Sequence, residues 1–227
     1  MIAICVFDAY GTLFDVAAAA RRAAAEPGRE AIADTWPRLA ETWRRKQLEY
    51  TWLRAAAGIH TDFWAVTCDG LDFALEAEGL ADPALRARLL ALYRELSAYP
   101  EVPEVLDTLR GRGLHTAILS NASPGMLEDA IASAGIGARL DAALSAESVG
   151  VFKPSPRVYE LVGAAFGVAR REVLFISSNG WDAWGAAAFG FRTAWVNRAG
   201  APGERLTARP DHVLPDLTGV PEIVAAG

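Results

Sequence analysis

The chain has 227 residues, with 22 Lys and Arg against 28 Asp and Glu, and a hydrophobic fraction of 52%. This length supports one full-sized domain, or a core domain with a smaller inserted one, and the apolar fraction is typical of globular proteins. The net charge is −6, and the sequence contains no dense run of Lys and Arg such as a nucleic-acid partner requires. No apolar run approaches the roughly 18 residues that cross a bilayer, and two cysteines imply no disulfide framework, so we expect a cytoplasmic protein.

The predicted elements begin with one buried strand and continue with a helical block. Residues 2–7 form a continuous apolar run that ends at Asp8, which is typical of a strand covered on both faces. From about residue 16 to residue 97 the apolar spacing is helical and almost no β-branched runs occur. This stretch therefore predicts three to five helices.

In the second half, strands and helices alternate. Apolar strands are predicted at residues 116–119, 173–176, 193–196 and, more weakly, 212–214. Ser-Pro pairs at Ser123 and Ser155 predict helix starts, a further helix begins near Asp182, and residues 199–210 form a loop. Strands separated by helices predict right-handed βαβ units and a parallel sheet. The chain is thus an α/β protein, with a core of residues 1–15 and 98–227 and an inserted helical cap of residues 16–97.

Polar residues cluster where the predicted strands end. Ligands of open parallel sheets bind beyond the carboxyl ends of the strands, so these residues are candidates for a site. Each one alone also fits an ordinary structural role as a turn residue, a helix cap or a solvated charge. Their recurrence at the same end of successive elements favours a site, formed by Asp8, Ser120, Asn121, Lys153, Ser177, Ser178, Asn179 and Asp182.

These residues give the sequence a resemblance to the haloacid dehalogenase superfamily. The signature of that superfamily is an Asp in the context D-x-x-G-T-L, matched here by residues 8–13, Asp-Ala-Tyr-Gly-Thr-Leu. The match continues through Ser120-Asn121 and Lys153-Pro154 to the last loop and covers nearly the whole chain. The resemblance implies a Rossmann-like parallel core with an inserted helical cap.

Two departures separate the chain from the Mg-dependent phosphatases that make up most of this superfamily. Tyr10 stands where those enzymes carry a second Asp, and the last loop offers the single carboxylate of Asp182. Asp8 and Asp182 alone would bind a hard divalent cation poorly, so we expect neither a metal nor another cofactor. A halide leaving group needs no protonation, so a nucleophile without a partner acid suffices for dehalogenation.

Two further segments resemble the L-2-haloacid dehalogenases specifically. They are residues 43–52 in the cap, WRRKQLEYTW, and residues 178–182 in the core, SNGWD. The resemblance implies hydrolysis of small (S)-2-haloacids to (R)-2-hydroxy acids, with inversion at C2 and an aspartyl ester on Asp8. The expected partners are the 2-halocarboxylate substrate and its halide, and the implied assembly is a homodimer.

The resemblance also implies a role for each matching residue. Asp8 is the nucleophile, kept ionised by Lys153, while Asp182 and Asn179 help to hold the hydrolytic water. Arg44 and Asn121 bind the departing halide, and Ser120 binds the substrate carboxylate together with backbone N–H groups after Asp8. The remaining residues of the expected site are Ala9, Tyr10, Thr12, Leu48, Phe63, Tyr159, Ser177, Ser178 and Trp181. Of these, Tyr159 is expected to bond near Lys153.

Other interpretations stay open at this stage. Leu48, Phe63 and Trp181 also fit plain core packing. A phosphatase on the same fold would lose its activity in EDTA and regain it with Mg²⁺, and an inactive binding module would tolerate Asp8→Asn. A serine hydrolase built on Ser120 is excluded, because no G-x-S-x-G motif surrounds it and His115 lies toward the other end of the same strand.

Overall fold

The computed structural model describes residues 1–80 and 82–226. Its centre is a parallel sheet of six strands with the spatial order β3-β2-β1-β4-β5-β6, which confirms the predicted α/β class. The strands are β1 (Ile4–Phe7), β2 (His115–Ser120), β3 (Ala142–Ser145), β4 (Val173–Ser177), β5 (Arg192–Val196) and β6 (His212–Leu214).

Strand β3 is absent from the sequence-based prediction, and β4 is therefore the fourth strand along the chain rather than the third. Its sequence, Ala-Ala-Leu-Ser, contains no β-branched or aromatic residue. The strand lies at the edge of the sheet, where it pairs with β2 alone. Strand propensity is decided largely by packing against neighbours, so a short Ala-rich edge strand gives little local signal.

Five helices occupy the stretch between β1 and the rest of the core, within the predicted three to five. They are α1 (Ala18–Ala24), α2 (Glu30–Ala33), α3 (Trp36–Ala57), α4 (Phe63–Ala77) and α5 (Pro83–Arg94). The side chain of Trp43 ties α3 to α4, because its indole N–H donates to the backbone oxygen of Thr67 over 2.8 Å. The division into a core of residues 1–15 and 98–227 and a cap of residues 16–97 stays a prediction.

Of the five core helices in the described residues, three begin close to where the Ser-Pro pairs and Asp182 predict, and the first and the last were not predicted. They are α6 (Val102–Gly111), α7 (Pro124–Ala134), α8 (Pro156–Phe166), α9 (Gly180–Phe189) and α10 (Val220–Ala226). Ser123 and Ser155 stand at the N-cap positions of α7 and α8, and α9 begins two residues before Asp182. Residues 199–210 carry no helix or strand. No helix within residues 1–80 and 82–226 is long and apolar enough to cross a membrane.

Strand β1 is buried on both of its faces. Ile4 and Val6 pack into one apolar cluster, and Cys5 and Phe7 pack into another. Side chains alternate between the two faces of a strand, so a strand covered by helices on both sides is apolar throughout. The carboxyl end of β1, where Asp8 follows, is therefore held from both sides of the sheet.

Candidate active site

The candidate site lies at the carboxyl edge of the three central strands. Asp8 follows β1, Ser120 ends β2 and Ser177 ends β4. Because β2 and β4 pair with β1 in parallel on its two sides, these three ends meet at one edge. Such a point, where the strand order reverses, forms the crevice that binds ligands in open α/β sheets.

Three donors hold the carboxylate of Asp8. Lys153 Nζ donates to Oδ1 over 3.1 Å, while Asn179 Nδ2 and Thr12 Oγ1 donate to Oδ2 over 2.8 and 3.1 Å. The Asp8 residue is only 6% exposed. A carboxylate held by several donors in a nearly dry environment is fixed in orientation before any substrate arrives.

Lys153 bridges two carboxylates with a single ammonium. Its Nζ lies 3.1 Å from Asp8 Oδ1 and 2.8 Å from Asp182 Oδ2, and its side chain is 1% exposed. Burial by itself lowers the pKa of Lys153, but the carboxylates of Asp182 and Asp8 outweigh that effect and raise the pKa above its usual value. The ammonium therefore stays protonated at neutral pH.

Asp182 is fully buried, and its carboxylate accepts hydrogen bonds from the side chains of Lys153, Tyr159 and Ser177. Tyr159 OH donates to Oδ1 over 2.7 Å, and Ser177 Oγ donates to Oδ2 over 3.1 Å. Asp182 Oδ2 also accepts from Lys153 Nζ over 2.8 Å, so the Tyr159 hydroxyl bonds next to Lys153, as the sequence led us to expect. Burial raises the pKa of Asp182 above its usual value despite the opposing charge of Lys153, and the Asp8 carboxylate adds to the rise.

The donor set at this edge does not fit Mg²⁺. The two carboxylates, Asp8 and Asp182, both already accept hydrogen bonds from the Lys153 ammonium, so neither is a free anionic ligand. Within residues 1–80 and 82–226, no group of three or more His, Cys, Asp and Glu side chains is placed to hold a metal ion. A hard divalent cation favours several anionic oxygen ligands and no competing cation.

The turn after Asp8 is tight and closely packed against the end of β4. Gly11 has φ of 90°, and a Cβ there would lie 3.0 Å from Ser178 Oγ, so glycine is needed for both reasons. Ser178 N donates to Thr12 Oγ1 over 2.8 Å. In the described part of the chain, the buried backbone N–H groups of Ala9 and Tyr10 donate to no protein acceptor. Buried N–H groups without partners suit an anionic ligand.

The helical block contributes one cation to this edge. Arg44 on α3 donates from Nη2 to the backbone oxygen of Tyr10 over 3.2 Å and to Asn179 Oδ1 over 3.3 Å. The same Asn179 donates to Asp8, so Arg44 lies one side chain away from the nucleophile candidate. Asn121, which was expected to bind the halide together with Arg44, accepts the backbone N–H of Lys153 with its Oδ1 over 2.8 Å.

Aromatic side chains line the neighbouring volume. The ring of Tyr10 stacks on Tyr93 with centroids 5.5 Å apart and lies 6.3 Å from Phe63. Phe63 is buried, so it packs in the core and also lies beside the signature turn. Trp181 meets Trp52 of α3 edge to face at 5.4 Å. Leu48 is half-buried, one turn after Arg44.

A family model confirms the superfamily that the sequence motifs predict. The model that matches residues 2–190 describes a haloacid dehalogenase-like hydrolase. The chain belongs to this family. The chain is 42% identical over 224 residues to (S)-2-haloacid dehalogenase 1 of Pseudomonas sp. strain CBS-3, covering 98% of this chain and 96% of that relative.

Solved structures of the haloacid dehalogenase-like hydrolases give the same result. The L-2-haloacid dehalogenase RSc1362 superposes with a TM-score of 0.93 at 41% identity, covering 99% of each chain. The L-2-haloacid dehalogenase of Xanthobacter autotrophicus with chloropropionic acid covalently bound superposes with a TM-score of 0.87 at 39% identity, again covering 99% of each chain. The predicted membership of the L-2-haloacid dehalogenases is confirmed.

Most of the predicted residues of this dehalogenase meet in one hydrogen-bonded network. That network contains Asp8, Tyr10, Thr12, Arg44, Asn121, Lys153, Tyr159, Ser177, Ser178, Asn179 and Asp182. Ser120 is buried at the end of β2, where its Oγ accepts the backbone N–H of Ala122 over 3.1 Å. The roles of all these residues stay predictions.

Two polar residues beside Arg44 were missed as site candidates. Gln47 Oε1 accepts a hydrogen bond from Arg44 Nη1 over 2.7 Å, and Gln47 Nε2 lies 3.1 Å from the hydroxyl of Tyr93. The spacing of three residues between Arg44 and Gln47 on a helix could have revealed the first of these, since such residues are neighbours on one face. No local signal points to Tyr93, which comes from α5.

Tyr159→Phe should shift the acid limb of the pH–rate profile to higher pH. The Tyr159 hydroxyl stabilises ionised Asp182, so its loss raises the pKa of Asp182 further and protonation begins at higher pH. Turnover on a 2-haloacid would be measured from acid to neutral pH. Tyr99→Phe, which removes a hydroxyl elsewhere, is the control, and coinciding acid limbs for Tyr159→Phe and wild type would contradict the expected coupling.

Proposed function

We propose that the chain hydrolyses small (S)-2-haloacids to (R)-2-hydroxy acids through an aspartyl ester on Asp8, with inversion at C2. The observation that carries the proposal is the Asp8 carboxylate, held by Lys153, Asn179 and Thr12 beside the cation Arg44. The kinship with (S)-2-haloacid dehalogenases supports the same substrate class.

The absence of a partner acid two residues after Asp8 distinguishes this site from that of a phosphatase. The residue there is Tyr10, whose ring stacks on Tyr93 and whose hydroxyl donates to the backbone oxygen of Met126 over 3.3 Å. Burial raises the pKa of the Tyr10 hydroxyl well above its usual value. Such a hydroxyl suits neither the protonation of an alkoxide nor the activation of water, whereas halide departure needs neither.

In the first step, an oxygen of Asp8 attacks C2 from the side opposite the halogen. A C–O bond forms, the C–halogen bond breaks, and the halide leaves with the electron pair. The substrate carboxylate is bound by Ser120 and by the free N–H groups of Ala9 and Tyr10. A guanidinium such as Arg44 at about 4 Å from the departing halide contributes on the order of 4 kcal/mol at an effective dielectric constant near 20. Asn121 and the ring edge of Trp181 complete the halide site.

In the second step, water attacks the carbonyl carbon of the ester. Asp182 takes the proton of the water, because burial raises its pKa and makes it a better base than an exposed carboxylate. Lys153 stabilises the oxyanion that develops on the former Asp8 carboxylate. The C–O bond between the carbonyl carbon and the Asp8 oxygen bound to C2 then breaks, and Asp182 returns its proton to that oxygen as the hydroxy acid leaves. The water oxygen stays on Asp8, which loses its carboxyl proton to solvent.

Wild-type protein should convert L-2-chloropropionate to D-lactate in excess EDTA and should leave D-2-chloropropionate largely unreacted. The reason is that the edge offers only the two carboxylates of Asp8 and Asp182, both paired with Lys153, while fixed sites for the nucleophile, the substrate carboxylate and the halide admit one enantiomer. Chloride release and chiral analysis of the lactate measure both. Equal rates on the two enantiomers would contradict the substrate assignment, and loss of activity in EDTA with recovery in Mg²⁺ would favour a phosphatase-like site.

Arg44→Ala should lower turnover by about 100-fold or more while the fold is kept, because the guanidinium stabilises charge that develops on the halide in the transition state. Arg45→Ala is the matched control. Arg45 is adjacent on α3, but its side chain is 57% exposed and pairs with Glu49 over 3.6 Å. Steady-state kinetics and thermal unfolding of both variants make the comparison. Equal effects of the two substitutions on turnover would contradict the proposed role of Arg44 in binding the halide.

Labelled water distinguishes the ester from direct attack by water on C2. With enzyme in excess over substrate in ¹⁸O-water, the hydroxy acid should be unlabelled and the peptide that contains Asp8 should gain the label, because the product oxygen comes from Asp8. After many turnovers the product should carry the label. A labelled product and an unlabelled Asp8 in a single turnover would show that water is the direct nucleophile.

Three finer properties stay predictions alongside the proposed chemistry. They are metal independence, assembly as a homodimer and a cytoplasmic location. The first is tested by the chelation experiment above, and the second by the mass of the protein in solution.

A further inference from the structure

Gln47 is a buried amide that contacts the cation of the proposed halide site. It lies on α3, three residues after Arg44, and its side chain is fully buried. Its Oε1 accepts a hydrogen bond from Arg44 Nη1 over 2.7 Å, shorter than the 3.2 and 3.3 Å contacts of Arg44 Nη2. A buried polar side chain is informative because its desolvation must be offset by specific partners.

The partners of Gln47 fix which end of its amide carries the oxygen. Thr67 Oγ1 lies 2.7 Å from Gln47 Nε2 and donates its only proton to the backbone oxygen of Phe63, also over 2.7 Å. The Thr67 hydroxyl can therefore only accept from Gln47, so the nitrogen faces Thr67 and the oxygen faces Arg44. Tyr93 OH lies 3.1 Å from Gln47 Nε2 and 3.3 Å from Gln47 Oε1, so it contacts both ends of the amide and Thr67 alone decides the orientation.

The backbone packing around Gln47 holds this arrangement in place. Helix α4 approaches α3 closely at Gly70, where an added Cβ would lie 3.1 Å from Gln47 N and 3.3 Å from the backbone oxygen of Trp43. The indole of Trp43 donates to the backbone oxygen of Thr67 on the same helix. The amide is thus held between two helices that cannot shift past each other without losing these contacts.

The acceptors around Arg44 share a further property, which is that all of them are neutral. They are the side-chain oxygens of Gln47 and Asn179 and the backbone oxygen of Tyr10. Within residues 1–80 and 82–226, no carboxylate forms an ion pair with Arg44, whereas the adjacent Arg45 and Lys46 both pair with Glu49. Neutral acceptors orient a guanidinium and leave its full charge available to an anion.

We propose that Gln47 is a positioning residue for halide binding, which orients the Arg44 guanidinium through a neutral acceptor and so preserves its charge for the halide. This inference rests on the proposed function of Arg44. It predicts that the orientation and the charge of Arg44 can be disturbed separately, because Gln47→Met removes the acceptor and Gln47→Glu keeps an acceptor but neutralises the cation.

Turnover of L-2-chloropropionate and chloride binding by ³⁵Cl NMR line broadening would be measured for wild type and three variants. Gln47→Glu should weaken chloride binding by about tenfold or more, since a carboxylate competes with the anion for the guanidinium. Gln47→Met should weaken chloride binding less but lower kcat by about 100-fold, the cost of a misplaced group near the reacting atoms. Thr51→Val, which alters a buried hydroxyl one turn further along α3, should change neither.

Thermal unfolding of each variant separates a positioning role from a structural one. If Gln47 had only a structural role, both substitutions would lower Tm, and Gln47→Glu would not weaken chloride binding more than Gln47→Met. Wild-type turnover and chloride binding in either folded Gln47 variant would overturn the inference. If wild-type protein released no halide, the proposed function would fail, but the order of chloride affinities would still support or overturn the role of Gln47.

Discussion

The buried ammonium of Lys153 is the interaction on which the site depends. It lies between Asp8 and Asp182, which would repel each other in this nearly dry environment without it. Removing one partner of a buried ion pair typically costs about 3–5 kcal/mol, because an uncompensated charge is left behind. The backbone of Lys153 is fixed in turn by Asn121. The ends of β1 and β2 and the start of α9 must therefore all be in place before the charges balance.

The same ammonium allows two carboxylates to serve two purposes. Both accept from Lys153, but Asp8 also accepts from an amide and a hydroxyl and keeps slight exposure, whereas Asp182 is completely buried with Tyr159 and Ser177. Burial raises the pKa of Asp182, which suits a proton acceptor. Pairs of carboxylates in contrasting environments commonly divide the roles of nucleophile and base in this way.

The helical block adds a second cation, Arg44, to the edge of the sheet. The contacts of the sheet edge place the positive charge of Lys153 against two carboxylates, so a halide needs another cation. In the proposed reaction Arg44 supplies it from α3, where its guanidinium bonds the backbone oxygen of Tyr10 in the signature turn and the side chain of Asn179 in the core. These contacts join helical block and core directly across the site.

The sequence by itself determined the strand ends and therefore most of the site. Apolar runs that end in polar residues predicted that Asp8, Ser177 and Asp182 meet, and they do, because the carboxyl ends of parallel strands share one edge. The family membership followed from motifs that each occupy a few consecutive residues. Strand β3 was not predictable, because its Ala-rich sequence becomes a strand only by pairing with β2.

Only the tertiary structure decided how the polar side chains pair. The hydroxyl of Tyr159 bonds the Asp182 carboxylate that also accepts from Lys153, and Arg44 contacts Asn179 across the site. Gln47 was hidden among the polar residues of α3, since its burial depends on α4 and on Tyr93 of α5. Local spacing fixes which residues share a helix face or a strand end. The partner of a buried donor depends on the packing of elements that are distant in sequence. Short-range sequence patterns do not predict that packing.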